Sequence, residues 1–160
     1  MAKADPTVIS PFEGPWIDIF GQQARVLFDG STTNGASSAA SQECPPGSVV
    51  PPHTHAGADE LFHILDGDFE FWLEGRWTPV SAGSMIYAPR GLMHGFRNVG
   101  DTAGRLVAVY TPAGFEQLLV EIGKLVDEER LSPESLEAVN RRYDVVTLDE
   151  REWQSPEVGW

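Results

Sequence analysis

The stretch GSVVPPHTHAGADELFHILDG, Gly47 to Gly67, decides how the chain is read, because it sets two histidines one residue apart and a glutamate five residues after the second. On a strand, side chains two apart point the same way, so His53 and His55 share one face and Thr54 takes the other. The segment Ala56-Gly57-Ala58-Asp59 offers a connection that reverses the chain and brings Glu60 into the next strand beside them, carboxylate inward. Burying two imidazoles and a carboxylate costs several kcal/mol unless they are paired. A divalent metal satisfies all three together.

A second stretch, GSMIYAPRGLMHGFRN from Gly83 to Asn98, supplies the natural fourth ligand, His94, after a turn made by Pro89 and Gly91. A lone histidine is weak evidence; the joint spacing is strong. The first stretch runs Gly47, five residues, His53-Thr54-His55, four residues, Glu60, six residues, Gly67. The second runs Gly83, five residues, Pro89-Arg90-Gly91, two residues, His94, three residues, Asn98. Both resemble the two conserved motifs of the cupin family, and agreement of this kind arises by chance on the order of once in 10^10. The 15 residues from Asp68 to Ala82 separate the motifs, a spacing similar to that of short bacterial single-domain cupins. Beyond them, TPAGFEQLLVEIG and SPESLEAVNRRYDVV look like the C-terminal part of quercetin-dioxygenase-like bacterial cupins. The resemblance implies an all-β antiparallel jelly-roll barrel holding one divalent metal, with His53, His55, Glu60 and His94 as ligands. Because imidazoles must be neutral to coordinate, bound metal is expected to leave as the pH falls below about 6.

The rest of the chain reads consistently with such a barrel. WIDIF, ARVLF, ASSAASQEC, ELFHIL, FEFWLEG, SMIYAP, HGFRNV and RLVAVY are short strand-like runs bounded by Gly, Pro, Asn or Asp. Asn34-Gly35 in TTNGAS suits a hairpin turn, since both tolerate positive φ. After Pro112 the period changes: Phe115, Leu118, Leu119, Ile122 and Val126 form one face of an amphipathic helix. Ser132-Pro133 then caps a second helix with Leu136, Val139 and Tyr143 as its stripe. The expected organisation is an N-terminal arm over 1–15, a barrel over 16–112, and a C-terminal helical segment and tail over 113–160 packing on the barrel.

The chain has 160 residues, 41% of them hydrophobic, which suits one domain. Its net charge is −13, and 12 of its 24 carboxylates lie from Glu116 onward, so nucleic acid and anionic membrane surfaces are poor partners. No apolar run is long enough for a signal peptide at the start or a membrane span, and the reading is a cytoplasmic protein. The one cysteine, Cys44, suits a reducing compartment and reads as a small buried apolar side chain.

Counting by twos from Glu60 and His94 puts Phe62, Ile64, Phe96 and Asn98 on the ligand face, with Phe69, Phe71 and Leu73 on a neighbouring strand. Met85 and Tyr87, or alternatively Ser84 and Ile86, line another wall. Phe62, Ile64, Phe71, Tyr87 and Phe96 are therefore the candidate substrate contacts, and Tyr87 and Gln42 the candidate polar groups near the metal. His63, three residues from Glu60, falls outside. Few cations point inward, which disfavours phosphorylated ligands. The expected partner is a small apolar or aromatic molecule; a homodimer is a further expectation, because jelly rolls expose sheet edges. Three functions fit: a dioxygenase with Fe(II) favoured and Mn, Ni or Zn as other metals; a non-redox isomerase, lyase or polyketide-type cyclase; or a binding protein without turnover. In the enzymatic readings Glu60 is the catalytic candidate, the only ligand able to switch to general base.

Overall fold

A computed structural model of the chain describes residues 5–10 and 14–154. Its elements in chain order are β1 (Ile17–Ile19), β2 (Gln22–Phe28), α1 (Gly30–Thr33), β3 (Ser38–Cys44), β4 (Val49–Thr54), β5 (Asp59–Asp66), β6 (Phe69–Leu73), β7 (Arg76–Val80), β8 (Met85–Ala88), β9 (His94–Asn98), β10 (Gly104–Thr111), α2 (Glu116–Asp127), α3 (Pro133–Arg142), β11 (Val146–Thr147) and α4 (Glu150–Gln154). The strands form two antiparallel sheets, ordered β1-β2-β3-β10-β5-β8 and β11-β4-β9-β6-β7. Face to face they make the jelly-roll barrel that the motifs imply. No described helix is long and apolar enough to cross a membrane.

The barrel interior follows from period-two alternation. On the six-stranded sheet Glu60, Phe62 and Ile64 of β5, and Leu106, Ala108 and Tyr110 of β10, are buried. The five-stranded sheet answers with Phe69, Phe71 and Phe96. Phe62, Phe71 and Phe96 interlock, with ring centroids 5.1–5.9 Å apart, and each such pair adds about 0.5–1.5 kcal/mol beyond the area it buries. Alanines 24, 40, 88 and 108 leave room for these rings.

Two local readings are corrected. The Ala56–Ala58 connection does not fold β5 back on β4: it crosses from the five-stranded sheet to the six-stranded one, where β5 pairs with β8 and β10. Asn34 and Gly35 do adopt positive φ, 54° and 79°, but they close a helical turn, α1, capped by the Asp29 carboxylate, rather than a two-residue hairpin. The two-residue hairpin lies instead at Glu74-Gly75, φ 52° and 80°, between β6 and β7. Strand β7 is an edge strand, which is why it tolerates Pro79.

The C-terminal helices match their apolar stripes. Leu118, Leu119 and Ile122 of α2 are buried, and Gly123 lets the helix lie directly on Ile17 of β1. Ser132 and Ser135 form a reciprocal cap at the start of α3, which buries Val139. Trp153 of α4 covers the outer face of the five-stranded sheet, its carbonyl accepting from Trp77 Nε1 at 3.2 Å. Residues 1–4, 11–13 and 155–160 lie outside the described residues; they include part of the expected N-terminal arm and the second tail tryptophan, Trp160.

Candidate metal centre

Each ligand arrives from a different piece of backbone. His53 is near the end of β4 and directly opposite His94, the first residue of β9. His55 lies just past β4, at the start of the crossover, and Glu60 is the second residue of β5 in the other sheet. The strand irregularity between Val50 and His53 carries Pro51-Pro52, and it closes tightly on Gly95. A Cβ there would sit 2.7 Å from the Val50 carbonyl oxygen and 2.8 Å from the Pro52 nitrogen. Gly95→Ala is therefore expected to destabilise the fold by about 1–3 kcal/mol and to weaken metal binding by pushing β4 from β9. Thermal unfolding and metal titration of the variant check both effects.

The turn that delivers His94 is tied to the Glu60 strand. The Arg90 guanidinium makes a two-pronged pair with Asp59, at 3.0 and 3.1 Å, and also reaches the Thr111 carbonyl at 3.1 Å. The Arg90 and Gly91 backbone N–H groups donate to Asp59 and to the His55 carbonyl, at 3.0 and 2.8 Å. Hydrogen bonds from Arg90 hold the Asp59 carboxyl down to about 2. Spacing alone does not reveal this latch, since Asp59 and Arg90 are 31 residues apart.

The ligand atoms of His53, His55, Glu60 and His94 all lie within 4.8 Å of one another, and all but half-buried His53 are buried. The His53 and His94 rings donate from Nδ1 to the Pro51 and Leu92 carbonyls, each at 2.9 Å. A carbonyl only accepts, so Nδ1 carries the proton in both rings and each Nε2 is the coordinating atom. His55 Nε2 and His94 Nε2 both approach one oxygen, Glu60 Oε2, at 3.1 and 2.9 Å. His94 thus faces an oxygen at each nitrogen, and without a cation at the centre the contact with Glu60 needs a proton between them. A single metal ion bound by the three Nε2 atoms and Glu60 removes that demand, and the donor set suits one. These four residues form a three-histidine, one-glutamate cluster of the kind that holds one metal ion.

Charge follows the same logic. Burial, and after it the neighbouring His94, pushes the His53 pKa down to about 4. Burial pushes Glu60 upward, but hydrogen bonds from His55 and His94 outweigh it and bring the carboxyl to about 2. For His94, burial lowers the pKa, but the Glu60 hydrogen bond and the Glu60 charge, with the Leu92 carbonyl, together outweigh it and leave it above the ordinary histidine value. Glu60 is therefore ionised and His53 neutral near pH 7, while the raised His94 pKa means that metal competes with a proton for that ring. The metal-binding constant is expected to fall at least about tenfold per pH unit below the ordinary histidine value of about 6.5, more steeply toward pH 4, where His53 also competes. Chelator competition between pH 5 and 8 measures this; a flat profile would contradict the tautomers assigned here.

Two neighbours of the cluster have no signal in the motifs. Tyr110 is fully buried and lies opposite Glu60 in the β5–β10 register. Burial first, then the Glu60 and Glu116 charges, raises its phenol pKa, and its hydroxyl interacts with Glu60 and Gln42. The phenol thus adds a third polar neighbour to the Glu60 carboxylate besides His55 and His94. Tyr110→Phe is expected to lower metal affinity about 10–100-fold with little change in thermal stability. Phe115, ahead of α2, stacks on His55 with ring centroids 4.0 Å apart and shields it from water. Its helical stripe was legible, but its position over a ligand was not. Next to it, Glu116 is buried and accepts from Ser38 Oγ at 2.5 Å and the Gly114 N–H at 2.6 Å, fastening α2 to β3.

Of the candidate wall residues, Phe62, Ile64, Phe71 and Phe96 are buried in the core, and Phe62 lies 6.0 Å from the His94 ring. Tyr87 is a correction: it is 60% exposed on the outer face of β8, while Ile86 and Ala88 turn inward. All four residues of β8 are apolar or aromatic, so their sequence carries two equally good parities, and pairing with β5 selects one. Gln42 is inward and buried, near Tyr110. Asn98, although buried, spends its amide on the Cys44 and Thr102 carbonyls and the Gly100 N–H. His63 is exposed, as its parity requires.

Against known proteins, the cupin-domain family model matches residues 40–110. An oxalate-binding protein of Thermotoga maritima is 33% identical over 88 residues, which span 55% of this chain and 73% of that protein. Quercetin 2,3-dioxygenase of Bacillus subtilis is 26% identical over 120 residues, 75% of this chain but only 35% of the enzyme. Among solved structures, KdgF from a Halomonas species superposes with a TM-score of 0.63 at 23% identity, covering 71% of this chain and 99% of that one. The chain belongs to the cupin superfamily.

Proposed function

We propose that this protein is a metal-dependent dioxygenase acting on a small apolar phenol or enol that carries a hydroxyl next to a carbonyl. The observation that carries the reading is the mixed histidine and carboxylate set at the end of a barrel filled by Phe62, Phe71 and Phe96. A divalent ion, Fe(II) being favoured, would be held by His53, His55, Glu60 and His94 and would supply substrate binding through oxygen and electron transfer to O2. The chain's own residues do the rest. The phenylalanine floor and Phe115 exclude water from the ligand atoms. His53, the half-buried ligand, marks the side from which a substrate reaches them. Glu60 takes the substrate hydroxyl proton at a carboxylate oxygen once it loosens from the histidines, and the Tyr110 hydroxyl beside it steadies the carboxylate. The likeness to the Bacillus quercetin 2,3-dioxygenase supports the reaction class, though this chain spans a third of that enzyme.

The test is metal analysis of freshly purified protein together with O2 uptake on a panel of phenols and diketones. Iron or another redox-active ion with substrate-dependent O2 uptake supports the reading. Zinc or nickel with no uptake on any of them overturns it in favour of a non-redox isomerase, lyase or cyclase, in which the same ligands hold a Lewis acid.

A further inference from the structure

Most polar side chains buried in the barrel have their hydrogen bonds accounted for. Gln22 donates to the Val49 carbonyl at 3.4 Å and accepts from the Cys44 thiol at 3.3 Å. Asn98 donates to two carbonyls and accepts from the Gly100 N–H, and Ser38 donates to Glu116. Gln42 stands apart. It is 9% exposed, and its place in β3, opposite Leu106 of β10 and Ala24 of β2, turns it into the barrel with those two core residues. Among the described residues its amide meets only the Tyr110 hydroxyl.

The chemistry of that contact decides which part of the amide is left over. A primary amide has two N–H donors and a carbonyl acceptor, whereas a phenol has one proton to give. The Tyr110 hydroxyl meets Gln42 and the Glu60 carboxylate together. An ionised carboxylate only accepts, so Tyr110 gives its proton to Glu60 and receives a hydrogen bond from a Gln42 N–H on its oxygen. The Gln42 carbonyl oxygen then has no donor. Its neighbours in the wall cannot supply one: Ala24 and Leu106 lie opposite it, and Ala40 and Ala108, paired with each other, occupy the step between it and Tyr110. Leaving a buried acceptor unpaired is costly, and an apolar side chain of the same shape would serve the fold as well or better. A ligand that brings the missing donor gives the amide a use.

We propose that Gln42 is a specificity-determining residue of the site, its carbonyl oxygen accepting a hydrogen bond from a hydroxyl group on the part of the substrate that lies inside the barrel. This rests on the function proposed above and narrows it. Besides the hydroxyl and carbonyl that meet the metal, the substrate carries a further free hydroxyl across the ring from them. A methyl group or an ether at that point leaves the amide unpaired. A phosphate or carboxylate, which only accepts, meets an oxygen that can give it nothing.

Kojic acid and allomaltol test this, because both carry a hydroxyl next to a ring carbonyl and they differ by one hydroxyl: the hydroxymethyl group of the first is a methyl group in the second. Each is titrated into the zinc-loaded full chain and followed by ultraviolet absorbance, which keeps O2 chemistry out of the measurement. Wild type is expected to bind kojic acid about 10-fold or more tighter than allomaltol. Gln42→Leu is expected to bring that ratio to about one while leaving allomaltol affinity within about threefold. The leucine variant should also keep its zinc and unfold at no lower temperature than wild type, whereas an amide with a purely structural role would take stability with it. Equal binding of the two probes by wild type, or a preference for kojic acid that survives in Gln42→Leu, overturns this inference and leaves the substrate class standing. Loss of zinc or of stability in the leucine variant overturns it too, by making the amide structural. If neither probe binds wild type, the proposed substrate class falls and this inference falls with it.

Discussion

His55→Ala is expected to lose bound metal by more than about 100-fold, the largest effect foreseen for any single ligand. Changes one shell further out typically cost 10–100-fold, and this substitution removes a coordinating nitrogen outright. The site offers no replacement. His55 is 1% exposed and stacked beneath Phe115, its Nε2 is one of two imidazole nitrogens on Glu60 Oε2, and its Nδ1 has no hydrogen-bond partner among the described residues. Truncation leaves a cavity under Phe115 and removes one of the groups that hold Glu60 ionised, so the metal-free protein should also lose about 2–4 kcal/mol of stability. Metal content after dialysis, with chelator competition for the residual affinity, measures the first effect; denaturant unfolding measures the second. His63→Ala is the control, since that ring lies on the outside of the same strand. Full metal content in the His55 variant would remove this residue from the ligand set.

Glu60→Gln is expected to keep the fold and part of the metal while losing turnover by about 100-fold or more. The amide keeps the carboxylate's shape and still offers one oxygen to the centre. It cannot accept a substrate proton, and it removes the negative charge that holds His94 protonated in the absence of metal. The His94 pKa should therefore fall in this variant, visible by NMR of the metal-free protein even before a substrate is known. His63→Ala should leave turnover within a few-fold. If Glu60→Gln stays fully active while His63→Ala is dead, the inward and outward assignment of β5 is inverted and the mechanism fails with it.

The separation between what the sequence carried and what it did not falls along a physical line. Ligand identity was local. His53, His55, Glu60 and His94 are fixed by residue type and spacing, and Gly47, Gly67 and Gly83 adopt the positive φ that their motif positions suggest. The α2 and α3 stripes were legible for the same reason, since helix periodicity and a Ser-Pro start are written in consecutive residues. β7 was missed because its hairpin uses Glu74-Gly75, a weaker turn signal than Asn-Gly, and because Pro79 argues against a strand until the strand is known to be an edge.

What the sequence alone determined was therefore a cupin barrel and the four side chains at its centre. The tertiary structure decided how those side chains meet. His53 and His94 come from one sheet, Glu60 from the other, and His55 from the crossover between them, a convergence that no neighbouring-strand count predicts. The fold also set the parity of β8, turning Tyr87 outward. It brought Tyr110 beside Glu60, Arg90 onto Asp59 and Phe115 over His55. In each case the partners are tens of residues apart, and a contact of that separation has no local signature: it exists only after the sheets have paired and the apolar interior has closed.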